Sequence, residues 1–369
     1  MNQKPFGTLG VIALPGTTGI AQNIDRALLS TRPDAFDSYL VESKIVRFQS
    51  GDAKAVLGES IRDRDLYILA DVGNYSETYE LFGRPVAMGP DEHFQNIKRM
   101  ISAIAGKALR VSVVMPLLYA GRQHKRKGRE SLDCAVSLQE LERLGVSNAL
   151  TIDAHDPRVQ NAVPLSGFES LHPTYDIVRT ILAHESDFFD RDLVTISPDT
   201  GAMDKAIYYA DVLGAAAGLF YKRRDEAAME GGKNKIVVHE YLGPSVEGKN
   251  VLILDDMISS GQSLFDILDY LSDNGAAKVY AAVTFGLFTE GLDRFDEYFE
   301  AGRFQRVYAT NSTFVNPRTA SREWFREVDI SVTLADAMSR LNYGDSISAL
   351  FDATDRIHRL IDELAQANA

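Results

Sequence analysis

The stretch Val251-Leu-Ile-Leu-Asp255-Asp256-Met-Ile-Ser259-Ser260-Gly261-Gln262-Ser263 decides how the chain is read. Four apolar residues lead to two adjacent carboxylates and then to a small, hydroxyl-rich loop. Beyond it Leu264, Ile267, Leu268 and Leu271 fall on one face of a helix. This is the pattern of a buried strand, a polar strand end, a loop and an amphipathic helix. The same alternation extends outward in both directions. Short apolar or β-branched runs recur at 8–14, 66–70, 111–115, 149–152, 193–196, 217–220, 236–238, 279–285 and 307–309. Helical spacing fills the intervals; Phe94, Ile97, Ile101 and Ile104 share one such face. Alternating strands and helices predict an α/β fold with mainly parallel sheets and helices on both faces.

Ligands of open α/β sheets bind beyond the carboxyl ends of the strands. Several runs here end in acid, at Asp71, Asp153, Asp199, Asp255 and Asp256, so chemistry is expected at those ends. Carboxylates accept hydrogen bonds and vicinal ribose hydroxyls donate them. The first amides of a helix have no partner inside it, and the helix dipole favours an anion there. Ser259, Ser260 and Ser263 add hydroxyl donors, and Gly261 permits close approach of the backbone. An acidic strand end before a Ser-capped helix is common. The full combination places diol contacts and phosphate contacts a few residues apart, at the span of a ribose 5-phosphate.

Composition narrows the setting. The chain has 369 residues, suited to two domains, with 39 basic and 52 acidic residues and a formal charge of −13. Such a chain repels polyanions, which argues against nucleic acid or an anionic membrane as partner. Phosphate must then be met by local basic clusters. Cys134 is the single cysteine, so an internal disulfide is excluded and an oxidising compartment is not indicated. No apolar run approaches the ~20 residues of a membrane helix, and the start of the chain reads as a first strand rather than a leader. There is no P-loop, no G-x-G-x-x-G and no C-x-x-C. A stretch rich in Pro, Gly and Ser at 164–173 suggests a boundary, giving domains at 1–168 and 169–340 and a helical tail at 341–369. The densest positive cluster, Arg122-Gln123-His124-Lys125-Arg126-Lys127-Gly-Arg129, leaves a buried strand and is flanked by glycines. A charge run is usually a solvated face; this placement suits a triphosphate, which Arg meets with planar bidentate contacts.

The 251–263 segment resembles the ribose-phosphate loop of type I phosphoribosyltransferases and of the ribose-phosphate diphosphokinase (phosphoribosyl diphosphate synthase) family. Transferases share only the C-terminal part. The synthase resemblance extends over roughly residues 7 to 351. The strand-ending Pro116 that leads to Arg122-Gln123, the Asp153-Ala-His155 strand end, Ser197-Pro-Asp199-Thr-Gly201 and Lys222-Arg-Arg224 all fit it. The resemblance implies two similar doubly wound domains with the site between them. It implies transfer of the diphosphoryl group of ATP to the anomeric hydroxyl of ribose 5-phosphate, with Mg²⁺ as cofactor. Asp255, Asp256, Ser259, Ser260, Gly261, Gln262 and Ser263 would hold ribose 5-phosphate. Phe48, Ser50, Asp52, Arg122 and Gln123 would hold ATP, His155 and Asp199 would serve the metal, and Lys222 and Arg224 would act in catalysis, just ahead of a polar stretch at 225–235 that reads as a mobile arm. A homo-oligomer in the cytoplasm is the implied setting.

This chain departs from the pattern at identifiable places. Ser259 stands where the family has Asp, and Gly261-Gln262 where it has a pair of small residues. The adenine loop, Phe48-Gln-Ser50-Gly-Asp52, has Ser for Asp and Asp for Glu. His124 replaces an Asp, the loop around it is one residue short, and residues 73–90 interrupt the pattern as an insertion. Two alternatives follow: a non-catalytic regulatory paralogue of the synthase, or a type I phosphoribosyltransferase.

Overall fold

In the computed structural model, which describes residues 4–33, 36–230 and 233–367, with side chains except over 222–239 and at 365 and 367, the chain order is as follows. The first part runs β1 (Thr8–Ala13), α1 (Thr18–Thr31), β2 (Ser43–Arg47), β3 (Ala53–Leu57), β4 (Arg64–Leu69), β5 (Thr78–Leu81), β6 (Arg84–Ala87), α2 (Pro90–Ile104), β7 (Arg110–Val114), α3 (Asp133–Arg143), β8 (Asn148–Ile152) and β9 (Gly167–Leu171). Then come α4 (Thr174–His184), β10 (Leu193–Ser197), α5 (Met203–Leu213), β11 (Ala216–Glu230), β12 (Lys233–Leu242), β13 (Asn250–Ile258), α6 (Gln262–Asp273), β14 (Lys278–Gly286), α7 (Asp293–Glu300) and β15 (Arg306–Thr310). The chain closes with α8 (Pro317–Ala320), β16 (Phe325–Val328), α9 (Ser331–Tyr343), α10 (Ser348–Phe351) and α11 (Thr354–Ala367).

Two compact units result. The first comprises Met1–Pro173, Asn311–Phe314 and Asp329–Asp352; the second comprises Thr174–Thr310, Val315–Val328 and Ala353–Ala369. In the first, five strands lie parallel in the order β1-β4-β7-β8-β9. Side chains alternate along each strand, so Leu66 and Ile68 enter one core with Ile97 and Ile101 of α2 and Leu138 of α3. Tyr67 and Leu69 enter the other, with Ile24 and Leu28 of α1 and Leu334 and Met338 of α9. The second unit orders its strands β12-β11-β10-β13-β14-β15-β16, all parallel except the antiparallel β11–β12 pair. Val251 and Ile253 pack with Leu264, Ile267 and Leu268 of α6, whereas Leu252 and Leu254 pack on the opposite face with Tyr209 of α5 and Ile357 of α11. Both sheets are therefore covered on both faces, the doubly wound arrangement expected from the alternating pattern.

These units do not follow the cuts at 168 and 340. Pairing of β9 with β8 keeps residues up to Pro173 in the first unit. The apolar stripe of α9 covers the α1 face of the first sheet, and α11 covers the second sheet, so 341–369 is not one separate tail. Residues 225–235, read as an arm, lie within the β11–β12 pairing apart from 231 and 232, which fall outside the described residues.

One buried ion pair fastens the first unit. Asp65 is fully buried and receives Arg110 through Nε at 2.7 Å and Nη2 at 2.6 Å. Asn342 Nδ2 of α9 donates to the same carboxylate at 2.9 Å, and Arg110 Nη2 also donates to the Leu341 carbonyl at 2.8 Å. Two strands and a helix distant in sequence are thus fixed to one charge. Arg110→Ala leaves that carboxylate buried without its counter-charge, held only by Asn342 and Tyr67, which costs about 3–5 kcal/mol. Urea unfolding should show a loss of this size, and a loss under about 1 kcal/mol would mean that the pair is exposed and solvated.

Candidate functional site

The second unit presents the acid-rich edge. β10 and β13 are neighbours, with Ile196 opposite Ile253, so the turn after β10 lies beside Asp255 and Asp256. In that turn Asp199 Oδ1 accepts from the Gly201 amide at 2.8 Å, and Ser197 Oγ donates to the Asp199 carbonyl. Asp255 is pushed up from the ordinary carboxylate value, first by burial and then by the charges of Asp256 and Asp199. Asp255 therefore feels like charge from two neighbours at a partly desolvated edge, where hydroxyl donors would relieve the repulsion. The two aspartates do not end the strand as expected. β13 continues through Met257 and Ile258, which pair with Phe285 and Gly286 of β14, because Ile258 is itself buried.

The loop that follows is held from below. Gly261 caps α6 with φ of 83°, and a Cβ there would lie 2.6 Å from Phe295 Cζ. Glycine is thus required by conformation and by the aromatic floor alike. Ser259 Oγ lies 3.3 Å from Thr289 Oγ1, and its carbonyl accepts from the Thr289 amide at 2.9 Å. Gln262 bridges Arg294 Nη1 at 2.6 Å and Asp266 at 2.5 Å, and Arg294 lies over the Phe265 ring at 4.4 Å. With glycine as the cap, no side chain of the cap residue itself accepts from the first turn of α6, and the Gln262 amide donates to Ser260 Oγ at 3.4 Å. Lys205, in the first turns of α5, was not singled out from sequence. Its Nζ donates to the Asp255 carbonyl at 3.2 Å and to Thr284 Oγ1 at 3.4 Å. Its place shortly after the Asp199 turn was the available signal.

The first unit gathers a different set beyond β7 and β8. Arg122 and Gln123 are exposed on the loop after β7, which turns at Ala120 with φ of 53°. His124 Nε2 stands 3.5 Å from Asp156 Oδ2, and its ring centroid is 5.2 Å from that of His155. This brings the basic loop and the His155 strand end together. Burial holds His124 below its ordinary value against the pull of Asp156. Arg158 holds Asp156 well below the carboxylate range. Asp153 receives His172 Nδ1 at 2.6 Å. Phe48, Ser50 and Asp52 lie on the β2–β3 hairpin, a separate small sheet, where Ser50 Oγ donates to Asp52 Oδ2 at 3.0 Å. The side chains of Lys222 and Arg224 lie outside the described residues. Among the described residues no three His, Cys, Asp or Glu side chains are grouped to hold a metal, and no helix is long and apolar enough to cross a membrane.

A family model described as the N-terminal domain of ribose phosphate pyrophosphokinase matches residues 9–145. Another, described as the phosphoribosyl synthetase-associated domain, matches residues 228–352. Ribose-phosphate pyrophosphokinase A of Dictyostelium discoideum is 26% identical over 335 residues, covering 90% of this chain and 96% of its own. The chain belongs to the ribose-phosphate pyrophosphokinase family. Ribose-phosphate pyrophosphokinase 2 of Saccharomyces cerevisiae is 28% identical over 83% of this chain and 88% of its own. The crystal structure of phosphoribosylpyrophosphate synthetase from Mycobacterium smegmatis shares the fold, with a TM-score of 0.72 at 21% identity over 90% of this chain and 98% of that one. Membership thus extends over both units, and the reading as a transferase, which would share the C-terminal part alone, is not favoured.

Within this family member, one acidic strand end serves structure. Asp71 is buried and accepts from Thr313 Oγ1 at 2.8 Å, the Phe314 amide at 2.7 Å and the Gly73 amide at 3.0 Å. Burial nevertheless raises its pKa to about 6, from 3.8. A carboxyl raised on folding contributes stability that is complete below pH ~4 and lost as pH rises through ~6. The stability difference between the parent protein and Asp71→Asn should therefore shift against the parent across that window, by on the order of 2–3 kcal/mol. Thermal or urea midpoints at pH 4 and pH 7 check this; a difference independent of pH would contradict it.

Proposed function

We propose that this protein transfers the diphosphoryl group of ATP to the anomeric hydroxyl of ribose 5-phosphate, giving 5-phosphoribosyl 1-diphosphate and AMP. The observation that carries the proposal is the β13–α6 junction. Two carboxylates on a strand buried along both faces lead within a few residues to a Gly261-capped helix start, inside a chain of the pyrophosphokinase family. The sugar hydroxyls would bond to Asp255 and Asp256, and the 5-phosphate would sit on the amides and hydroxyls of Ser259, Ser260, Gly261, Gln262 and Ser263. Lys205 offsets the acidic edge from beneath by holding the Asp255 carbonyl. The nucleotide would bind the first unit, its phosphates at Arg122 and Gln123 and its base at Phe48, Ser50 and Asp52.

Mg²⁺ usually keeps several waters and binds through one or two side chains together with substrate phosphates. His155 in the first unit would serve Mg²⁺-ATP and Asp199 in the second would take a second metal-linked role, the metal supplying charge neutralisation on the transferring phosphates. The protein's share of catalysis is then position and electrostatics: the hydroxyl placed in line with the β-phosphorus, and cations set where negative charge spreads. Lys222 and Arg224 are assigned that last role by their match to the family pattern. A homo-oligomer working in the cytoplasm, with neither nucleic acid nor membrane as partner, completes the proposal.

The test is AMP release from Mg²⁺-ATP by the purified protein. AMP should appear only when ribose 5-phosphate is present. In the same assay Asp256→Asn and Ser263→Ala should raise KM for the sugar phosphate by about 10–150-fold, the equivalent of the ~1.5–3 kcal/mol of a hydrogen bond to a charged group, with KM for ATP changing far less. No ribose 5-phosphate-dependent AMP, or unchanged sugar-phosphate kinetics in both variants, would remove the assignment.

A further inference from the structure

Residues 73–90, the segment that interrupts the family pattern, contain the β5–β6 hairpin. Thr78 pairs with Ala87 and Leu81 with Arg84, which leaves Phe82-Gly83 as a two-residue turn. Both have positive φ, 48° at Phe82 and 74° at Gly83. Turns of this hand favour Asn-Gly or Gly-Gly, and a bulky residue in the left-handed region is uncommon. The Phe82 ring does not repay this by covering a core, because it is 83% exposed. An aromatic ring held in solvent against its backbone preference contributes little to folding and is available for a ligand.

The hairpin is fastened to the loop that carries the base-site candidates. Arg47 Nη1 donates to the Gly51 carbonyl at 3.0 Å while its guanidinium lies 4.2 Å from the Tyr79 ring centroid. Gly51, with φ of 93°, is so close to the insertion that a Cβ would stand 2.8 Å from Leu81 Cδ1. The Phe82 amide donates to the Gln49 carbonyl over a long 3.5 Å. Turn 82–83 and loop 48–52 therefore adjoin, and each carries an exposed phenyl ring, Phe82 on one and Phe48, 47% exposed, on the other.

We propose that Phe82 is a specificity-determining residue for the nucleotide, giving the purine base a second aromatic face beside Phe48. The proposal rests on the reading of 48–52 as the base loop. It also accounts for the chemistry of that loop. Asp52 is engaged by Ser50 Oγ, which leaves less carboxylate to read the edge of the base. Stacking takes its place, and stacking depends on ring area rather than on the hydrogen-bonding pattern. Purine triphosphates are then favoured over pyrimidine triphosphates, with little distinction between adenine and guanine.

Phe82→Asn and Phe82→Tyr test this, with KM for ATP, GTP and CTP measured at saturating ribose 5-phosphate and ATP binding followed by calorimetry. Asn suits the turn, so the fold is kept or strengthened while the ring is lost. The Asn variant should bind ATP and GTP roughly tenfold more weakly, with CTP and ribose 5-phosphate changed less than twofold, and Tyr should restore the parent values. Unchanged ATP affinity in Phe82→Asn overturns the proposal. Phe48→Ala separates the two levels. If it also leaves ATP binding unchanged, the base-loop reading itself fails; if it weakens ATP and Phe82→Asn does not, only the role of Phe82 fails.

Discussion

A parallel strand covered on both faces can carry charge only near its ends, and that constraint organises both units. Leu252 and Leu254 enter one core and Val251 and Ile253 the other. The first position along β13 at which a carboxylate can be solvated at all is Asp255, and it is solvated poorly enough for burial to raise its pKa. Asp256 and Asp199 add like charge to the same edge. The opposite electrostatics follow one turn later, where the glycine cap opens α6 with its positive end outward. A ligand with hydroxyls at one end and a phosphate at the other satisfies both halves of this arrangement together.

Much of this was legible in the sequence, because it depends on local periodicity. Alternation of apolar runs with helical faces gave the parallel sheets, and Asp255-Asp256 before Ser-Ser-Gly marked the loop. The features that escaped depend on partners far away along the chain. β13 outruns its aspartates because Met257 and Ile258 find Phe285 and Gly286 on β14. Asp71 reads like Asp199, yet it is filled by Thr313 and Phe314, more than two hundred residues later. The apolar stripe of α9 is visible in sequence, but nothing local says that it covers the first sheet rather than the second. Lys205 escaped for another reason: a lone lysine in a helix is unremarkable until its ammonium is seen on the Asp255 carbonyl.

The departures from the family pattern look different once placed in space. His124, standing where an acid is usual, faces Asp156 and lies against His155, so the substitution is absorbed within the same loop cluster. Gln262, in place of a small residue, is ordered by Arg294 and Asp266 instead of projecting at random over the phosphate loop. The insertion at 73–90 does not interrupt the first sheet. It folds as a hairpin of its own and packs on the loop expected to receive the base. These changes lie in loops and in a separate hairpin, and both cores are left intact.

A β13–α6 junction that recognises a ribose and its phosphate together must bind ribose 5-phosphate and reject ribose alone. Titration calorimetry of ribose 5-phosphate into the protein, with Mg²⁺ and a non-hydrolysable ATP analogue present, tests it most directly. Ribose 5-phosphate should bind saturably, unphosphorylated ribose should show no measurable binding, and the signal should be lost in Gly261→Ala, whose Cβ would force the loop off Phe295. Equal affinity for ribose and ribose 5-phosphate, or full affinity in the Gly261→Ala protein, would contradict it.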